Sequence, residues 1–131
     1  MHDPRTTLAQ MVDVLADLPL IYQPGTSWEY SLAIDVVARL VEVISGQGFD
    51  TFIKARILDP LGMVDTGFVV PEKDRGRLVA YYSGADLMEP MKPGLTRTDN
   101  APFPGAYLRP IARLNGGGGL VSTMPDMLAL I

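Results

Sequence analysis

The apolar and polar positions of the first sixty residues fall into three helical patterns. Leu8, Met11, Val12 and Leu15 recur at i, i+3, i+4 and i+7, which predicts a helix from about Thr7 to Asp17. Thr7-Leu8-Ala9-Gln10 at its start fits a capping box, in which a hydroxyl and a carboxamide satisfy two free backbone N–H groups reciprocally. Pro19 ends it, because the residue before a proline is pushed out of the α region. A second stripe of Ala33, Val36, Val37, Leu40, Val41 and Ile44 predicts a helix over 33–44. Asp35, Arg39 and Glu42 form its opposite face, with Asp35 four residues before Arg39 and so placed for an ion pair. Leu32, Ile34 and Val43 add apolar surface beside the stripe, so this helix is expected to be mostly buried, and Ser45-Gly46 to end it. Phe49, Phe52, Ile53 and Ile57 share one face of a third helix, about Phe49 to Leu58, which Pro60 is expected to stop.

The second half carries weaker patterns. Asp65 to Val70 reads as an irregular turn into a short strand, and Arg77 to Tyr82 as a second strand. From Ser83 to Asn115 there is little periodicity, and Pro90, Pro93, Pro102, Pro104 and Pro110 break any long element. A stretch of that kind inside a compact domain is expected to wrap something or to line a site. Thr123-Met124-Pro125-Asp126 caps a last helix, with proline in its first turn and an acid at the third position. That helix has only just begun at Ile131, so the chain is expected to stop within an element. The class these patterns predict is α+β, helix-rich at first, then short strands and long irregular loops.

Composition narrows the function. A chain of 131 residues with 47% hydrophobic and 20% charged residues is globular and long enough for one ordinary core. A net charge of −4, without a basic patch, argues against nucleic acid as a partner. No apolar run is long enough to span a bilayer. Met1-His2-Asp3-Pro4-Arg5 has no signal-peptide pattern, and a cytoplasmic location is the expectation. The absence of cysteine excludes thiolate nucleophiles, disulfides and zinc–thiolate sites within the chain. With His2 the single histidine, a Ser-His-Asp triad and a zinc site are both disfavoured. Asp65, Asp86, Asp99 and Asp126 lack the spacing of a calcium loop. Gly116 to Gly119 is not a phosphate-binding loop, since no Gly-Lys-Ser/Thr follows, and it reads as a close-packed turn. Neither a metal nor a cofactor is expected.

The most informative stretch is Pro24-Gly25-Thr26-Ser27-Trp28-Glu29-Tyr30-Ser31-Leu32. Pro24-Gly25 forms a turn signal, Trp28 and Tyr30 alternate as in an extended segment, and the helical period starts directly afterwards. A tyrosine hydroxyl held at a helix N-terminus sits in a positive local field, which is a plausible place for proton transfer. The competing reading is an aromatic pair that packs. Three further blocks follow in order: Val43-Ile44-Ser45-Gly46, Ile57 to Phe68 with its Asp59-Pro60-Leu61-Gly62-Met63 centre, and Gly117-Gly118-Gly119-Leu120-Val121-Ser122-Thr123-Met124-Pro125-Asp126.

Together these blocks resemble the serine β-lactamase-like hydrolases, a family that includes class C β-lactamases, family VIII carboxylesterases and penicillin-binding proteins. The resemblance runs from about Leu18 to the end. It implies the helical middle part of a β-lactamase/transpeptidase-like domain, with residues 1–131 a partial domain whose flanks lie elsewhere. It also implies a serine nucleophile in a Ser-x-x-Lys pair, an acyl-enzyme, and a tyrosine at the head of a Tyr-x-Asn motif that shuttles protons. A free phenol is a poor base at neutral pH, and a neighbouring ammonium favours its phenolate.

Tyr30 matches that tyrosine and is the candidate catalytic residue. Ser31 matches the middle position, and Leu32 stands where β-lactamases carry asparagine. Losing that amide favours an apolar acyl ester over a β-lactam as substrate. Ser31, Leu32, Trp28 and Tyr107 are the candidate substrate-binding residues, with packing the competing reading for Trp28 and Tyr107. None of Ser27, Ser31, Ser45, Ser83 and Ser122 has a lysine three residues on. Thr51-Phe52-Ile53-Lys54 has the spacing but lies on an amphipathic helix and reads as a solvated face. No Lys-Thr-Gly, His-x-Gly or Trp-x-Gly occurs. The expectation is therefore a segment of a serine esterase whose nucleophile lies outside these residues. It would be inactive alone and completed by a companion segment or a homo-oligomer. The alternative is a non-catalytic remnant that serves binding or structure through exposed apolar helix faces.

Overall fold

Helix α1, Leu8–Ala16, begins as its sequence dictates: the Gln10 N–H donates to Thr7 Oγ1 at 3.2 Å, and the Thr7 N–H donates to Gln10 Oε1 at 2.9 Å. The computed structural model describes residues 5–86, 88–89, 91–98 and 105–131. The expectations placed on His2, Pro90, Asp99, Pro102 and Pro104 lie outside the described residues. There are two compact units, Met1–Phe68 with Ile111–Ile131, and Val69–Pro110. The class is α+β, helices with a few three-residue strands.

In the first unit α1 packs against α2, Ala33–Ser45, around a small core of Leu8, Met11 and Ala38, with Val12, Leu15 and Phe49 against it. Helix α2 stops at Gly46, whose φ of +68° gives the left-handed cap that glycine adopts without steric cost. The expected burial of α2 is corrected. Its apolar stripe is exposed at Val36, Val37, Leu40 and Ile44, as are Ile34 and Val43 beside it. Asp35 and Ala38 are the residues it buries. The polar face turns inward because its carboxylates have backbone donors to meet. Asp35 Oδ1 accepts the Gly117 N–H at 3.0 Å, and Glu42 Oε1 accepts the Phe49 N–H at 3.4 Å. The expected Asp35–Arg39 pair is replaced by Arg39 Nη1 to Glu42 Oε2 at 2.9 Å.

The third helical stretch runs through Pro60 and does not stop there. It consists of α3, Phe49–Ile53, a wider π turn, Lys54–Leu58, and α4, Asp59–Leu61. Within the π turn the Asp59 N–H donates to the Lys54 carbonyl, five residues back. Pro60 then follows directly on the widened turn as the second residue of α4, and Gly62 at φ +66° ends the run. The extra residue in the widened turn also rotates the inner face by one position. Leu58 is buried, whereas Ile57, on the apolar face of the pattern, is exposed.

Asp65 to Val70 forms no strand, only an isolated antiparallel bridge from Gly67 to Val121. Helix α5, Met124–Leu130, starts after Thr123, whose backbone is extended as a cap residue requires. The Thr123 hydroxyl makes no capping bond, and Oγ1 is buried without a partner among the described residues. Asp126 does not serve the cap either. It is buried, and its Oδ2 accepts the Asp65 N–H at 2.8 Å and the Thr66 hydroxyl at 2.7 Å.

In the second unit Arg77 ends a 3-10 turn, Glu72–Arg77, and does not open a strand. The strands are β1, Tyr82–Gly84, and β2, Leu95–Arg97, paired antiparallel with Ser83 opposite Thr96. All six strand residues are exposed, so no inside–outside alternation marked them in the sequence. Among the described residues no helix is long and apolar enough to cross a membrane.

Candidate functional site

The segment before α2 is built from a tight turn. The Thr26 N–H and hydroxyl both donate to the Gln23 carbonyl, at 3.1 and 2.7 Å, around Pro24 and a Gly25 with φ of +82°. Proline then positive-φ glycine is the signature of a type II turn. Residues 27–30 leave it without forming a strand. Trp28 and Tyr30 are 82% and 85% exposed, so the two rings are not a packed pair within this chain.

The start of α2 is unusual because its cap position is Leu32, which has no side-chain acceptor. The preceding residue takes over: the Ala33 N–H donates to Ser31 Oγ at 3.2 Å. The Leu32 carbonyl accepts the Asp35 and Val36 N–H groups at 3.0 and 3.2 Å. Ser31 thus ties the Tyr30 backbone to the first turn of the helix. Leu32 is itself partly open to solvent at 41% exposure.

The far side of that helix turn is held by the glycine run. A Cβ added at Gly116 would lie 2.4 Å from the Ile34 carbonyl oxygen and 2.8 Å from Ala38 Cβ, so only glycine allows this approach. Gly117 follows with its N–H on Asp35. Gly119, at φ +93°, then turns the chain beside the Phe68 ring. The run is the close-packed turn its composition suggested, and it braces the helix that Tyr30 precedes.

Tyr30, Ser31, Leu32 and Trp28 therefore belong to one short segment of the first unit, and Tyr107 to the second unit. Tyr107 is the one non-glycine among the described residues at positive φ, +64°, and its carbonyl accepts the Val70 N–H at 2.7 Å. Burial raises the affinity of its phenol for the proton, and the charge and hydrogen bond of Tyr81 push the same way. Lys54, the lysine of the Thr51-x-x-Lys54 spacing, is ion-paired with Asp59, and Thr51 Oγ1 lies 3.5 Å from Asp50 Oδ1. That pair is a solvated helix face. Among the described residues no group of three or more His, Asp or Glu side chains is placed to hold a metal ion.

Sequence reasoning missed a pocket of about 220 Å³ in the second unit, lined by Arg75, Leu78, Val79, Tyr81, Arg97, Ala106 and Leu108. Its residues come from three separated stretches, none with a periodic pattern, and no local signal could have assembled them.

Comparison with known proteins agrees with this architecture. The Beta-lactamase family model matches residues 1–131. Esterase EstB of Burkholderia gladioli is 36% identical over 125 residues, 87% of this chain and 31% of that protein. The lovastatin esterase of Penicillium rubens is 38% identical over 79 residues, 59% of this chain and 20% of that protein. Among solved structures, EstCE1, described as a hydrolase with promiscuous acyltransferase activity, superposes with a TM-score of 0.76 at 28% identity, over 96% of this chain and 35% of its own. The chain thus spans about a third of the length of EstB and EstCE1. With the family model matched from first residue to last, this chain belongs to the Beta-lactamase family.

Proposed function

We propose that this chain is part of a serine hydrolase that cleaves carboxylic esters through an acyl-enzyme, with Tyr30 in proton transfer and the nucleophilic serine outside these residues. The observation that carries the reading is Tyr30 itself. It matches the tyrosine of the motif, stands directly before α2, and presents its ring to the outside at 85% exposure. Its hydroxyl is thus open to a serine and a lysine supplied by another segment. Two of the matched relatives, EstB and the lovastatin esterase, bear esterase names, which supports the substrate class.

In this mechanism a Ser-x-x-Lys serine attacks the ester carbonyl and its proton passes to the Tyr30 phenolate. Tyr30 then returns that proton to the departing alcohol, leaving the acyl group on the serine. Water releases the acid in the second half of the cycle. Leu32, where an amide would bond a lactam side chain, instead offers apolar contact, and Trp28 beside it offers an open aromatic face. Ser31 holds the segment to the helix through its bond from the Ala33 N–H. Tyr107 is the fourth residue proposed to bind substrate. Residues 1–131 make a partial domain in this reading, and a companion segment completes it.

A specific observation favours a second, non-catalytic reading. The apolar side chains of α2, Ile34, Val37, Leu40, Val43 and Ile44, are all more than half exposed. A face of that size suits binding. A serine-directed fluorophosphonate separates the readings on the longer protein. The hydrolase reading expects no label on residues 1–131 alone and a label on a serine of the longer protein. Label on Ser27, Ser31, Ser45, Ser83 or Ser122 would overturn it.

A further inference from the structure

A helix at a protein surface packs its apolar side inward. Helix α2 does the reverse: Ile34, Val37, Leu40, Val43 and Ile44 point outward, each more than half exposed. Val37, Leu40 and Ile44 stand at i, i+3 and i+7, so they form one line along the helix. No charge interrupts that line, because the ionic side chains of α2 are engaged elsewhere. Asp35 is buried on the Gly117 N–H, and Arg39 and Glu42 pair with each other. The segment leading into the helix is open as well, with Leu20, Ile21, Trp28 and Tyr30 each more than two-thirds exposed.

The exposed area bears on what covers this face. The chain exposes 9962 Å². Two separate compact bodies of the sizes of the two units would expose roughly 8,100 Å² in sum. The excess of roughly 1,900 Å² is more than twice the ~800 Å² that each partner gives to a standard interface. A second copy meeting this one along α2 therefore leaves most of the excess open. A lipid surface matches poorly, since interfacial helices carry Lys and Arg on their polar face. The one basic residue of α2, Arg39, is paired with Glu42, in a chain of net charge −4. The chain spans about a third of the length of EstB and EstCE1, so the greater part of a protein of that length remains to supply the cover.

We propose that the apolar face of α2 is the docking site for a segment of the longer protein outside residues 1–131, one that presents uncharged, apolar side chains to Val37, Leu40 and Ile44. The inference rests on the reading of residues 1–131 as a partial domain. It requires neither the chemistry of Tyr30 nor a nucleophile.

Thiol labelling of the complete protein tests it. Residues 1–131 contain no cysteine, so one introduced on the face is the single thiol among them. Val37→Cys and Val43→Cys are small changes of volume at two positions of the helix. Peptide mapping after maleimide treatment reads each rate against the same protein unfolded in urea. Both thiols are expected to react at least about 100-fold more slowly in the folded protein, at any protein concentration and with or without vesicles. Hydroxyl-radical footprinting of Leu40 and Ile44 in the unmodified protein gives the same readout should a variant fail to fold. Reaction at nearly the unfolded rate would overturn the proposal. So would protection lost on dilution together with a halved native mass, which means a second copy. Protection that arises only with vesicles of phosphatidylcholine and phosphatidylglycerol would overturn it too, in favour of a lipid surface. Fluorophosphonate labelling of the same samples keeps this inference apart from the hydrolase reading. Slow thiols without a serine label leave the docking site standing and remove the hydrolase, and fast thiols with a serine label do the opposite.

Discussion

The buried carboxylate of Asp35 accepts the backbone N–H of Gly117 at 3.0 Å, across eighty-two residues of sequence. This one bond joins the first turn of α2 to the glycine run before α5. It fixes the helix start from which the Tyr30 segment projects. Asp35→Ala leaves the Gly117 donor without its acceptor and is expected to cost about 1–3 kcal/mol, measured by urea unfolding. Asp35→Asn keeps an acceptor oxygen and is expected to cost less than the alanine change.

Gly116 and Gly118 form an internal control. A Cβ at Gly116 meets the Ile34 carbonyl at 2.4 Å, whereas nothing lies within 4 Å of one at Gly118. Gly116→Ala is expected to destabilise by about 1–3 kcal/mol, because both the helix backbone and Ala38 must shift. Gly118→Ala is expected to be within about 0.5 kcal/mol of the parent. Equal effects in thermal unfolding would mean that the run is not packed on α2.

Asp126 holds the Asp65-Thr66 turn to α5 through the Asp65 N–H and the Thr66 hydroxyl. Asp126→Ala is expected to release both donors and to cost about 1–3 kcal/mol. Hydrogen exchange provides the local readout: the Gly67 and Val121 amides, each bonded across the bridge, are expected to lose protection before those of α1.

Tyr107 gives the chain an alkaline dependence. Its proton affinity is raised in the folded state, by burial first and then by Tyr81. A group shifted in that direction contributes stability that is fully present below the unfolded value near 10 and is lost as pH rises through the folded one. Unfolding midpoints are therefore expected to fall above about pH 10, and Tyr107→Phe to remove that part of the fall.

How much of this was legible in the sequence varies with the physics behind each element. The α1 capping box, the limits of α2 and its Gly46 stop are local, written in neighbouring residues, and the structure has them where the pattern placed them. Which face of α2 would turn inward was not local. The apolar stripe pointed to burial, yet Asp35 and Glu42 face the backbone donors of Gly117 and Phe49, and donors that arrive from elsewhere in the chain leave no mark on the helix period. Pro60 was misread because a stop and a first-turn proline look alike until the widened turn before it is seen. Tyr30 was legible as a motif, and its exposure was not. The pocket between Arg75 and Arg97 was not legible, being assembled from a 3-10 turn, a strand and a strained turn.

The account rests most heavily on Tyr30. Its most direct test is turnover of a short-chain nitrophenyl ester by the complete protein that carries this region together with a Ser-x-x-Lys segment, before and after Tyr30→Phe. Removing a proton-transfer group is expected to lower kcat by about 10²–10⁴-fold. An unchanged kcat in Tyr30→Phe would contradict the proposed mechanism.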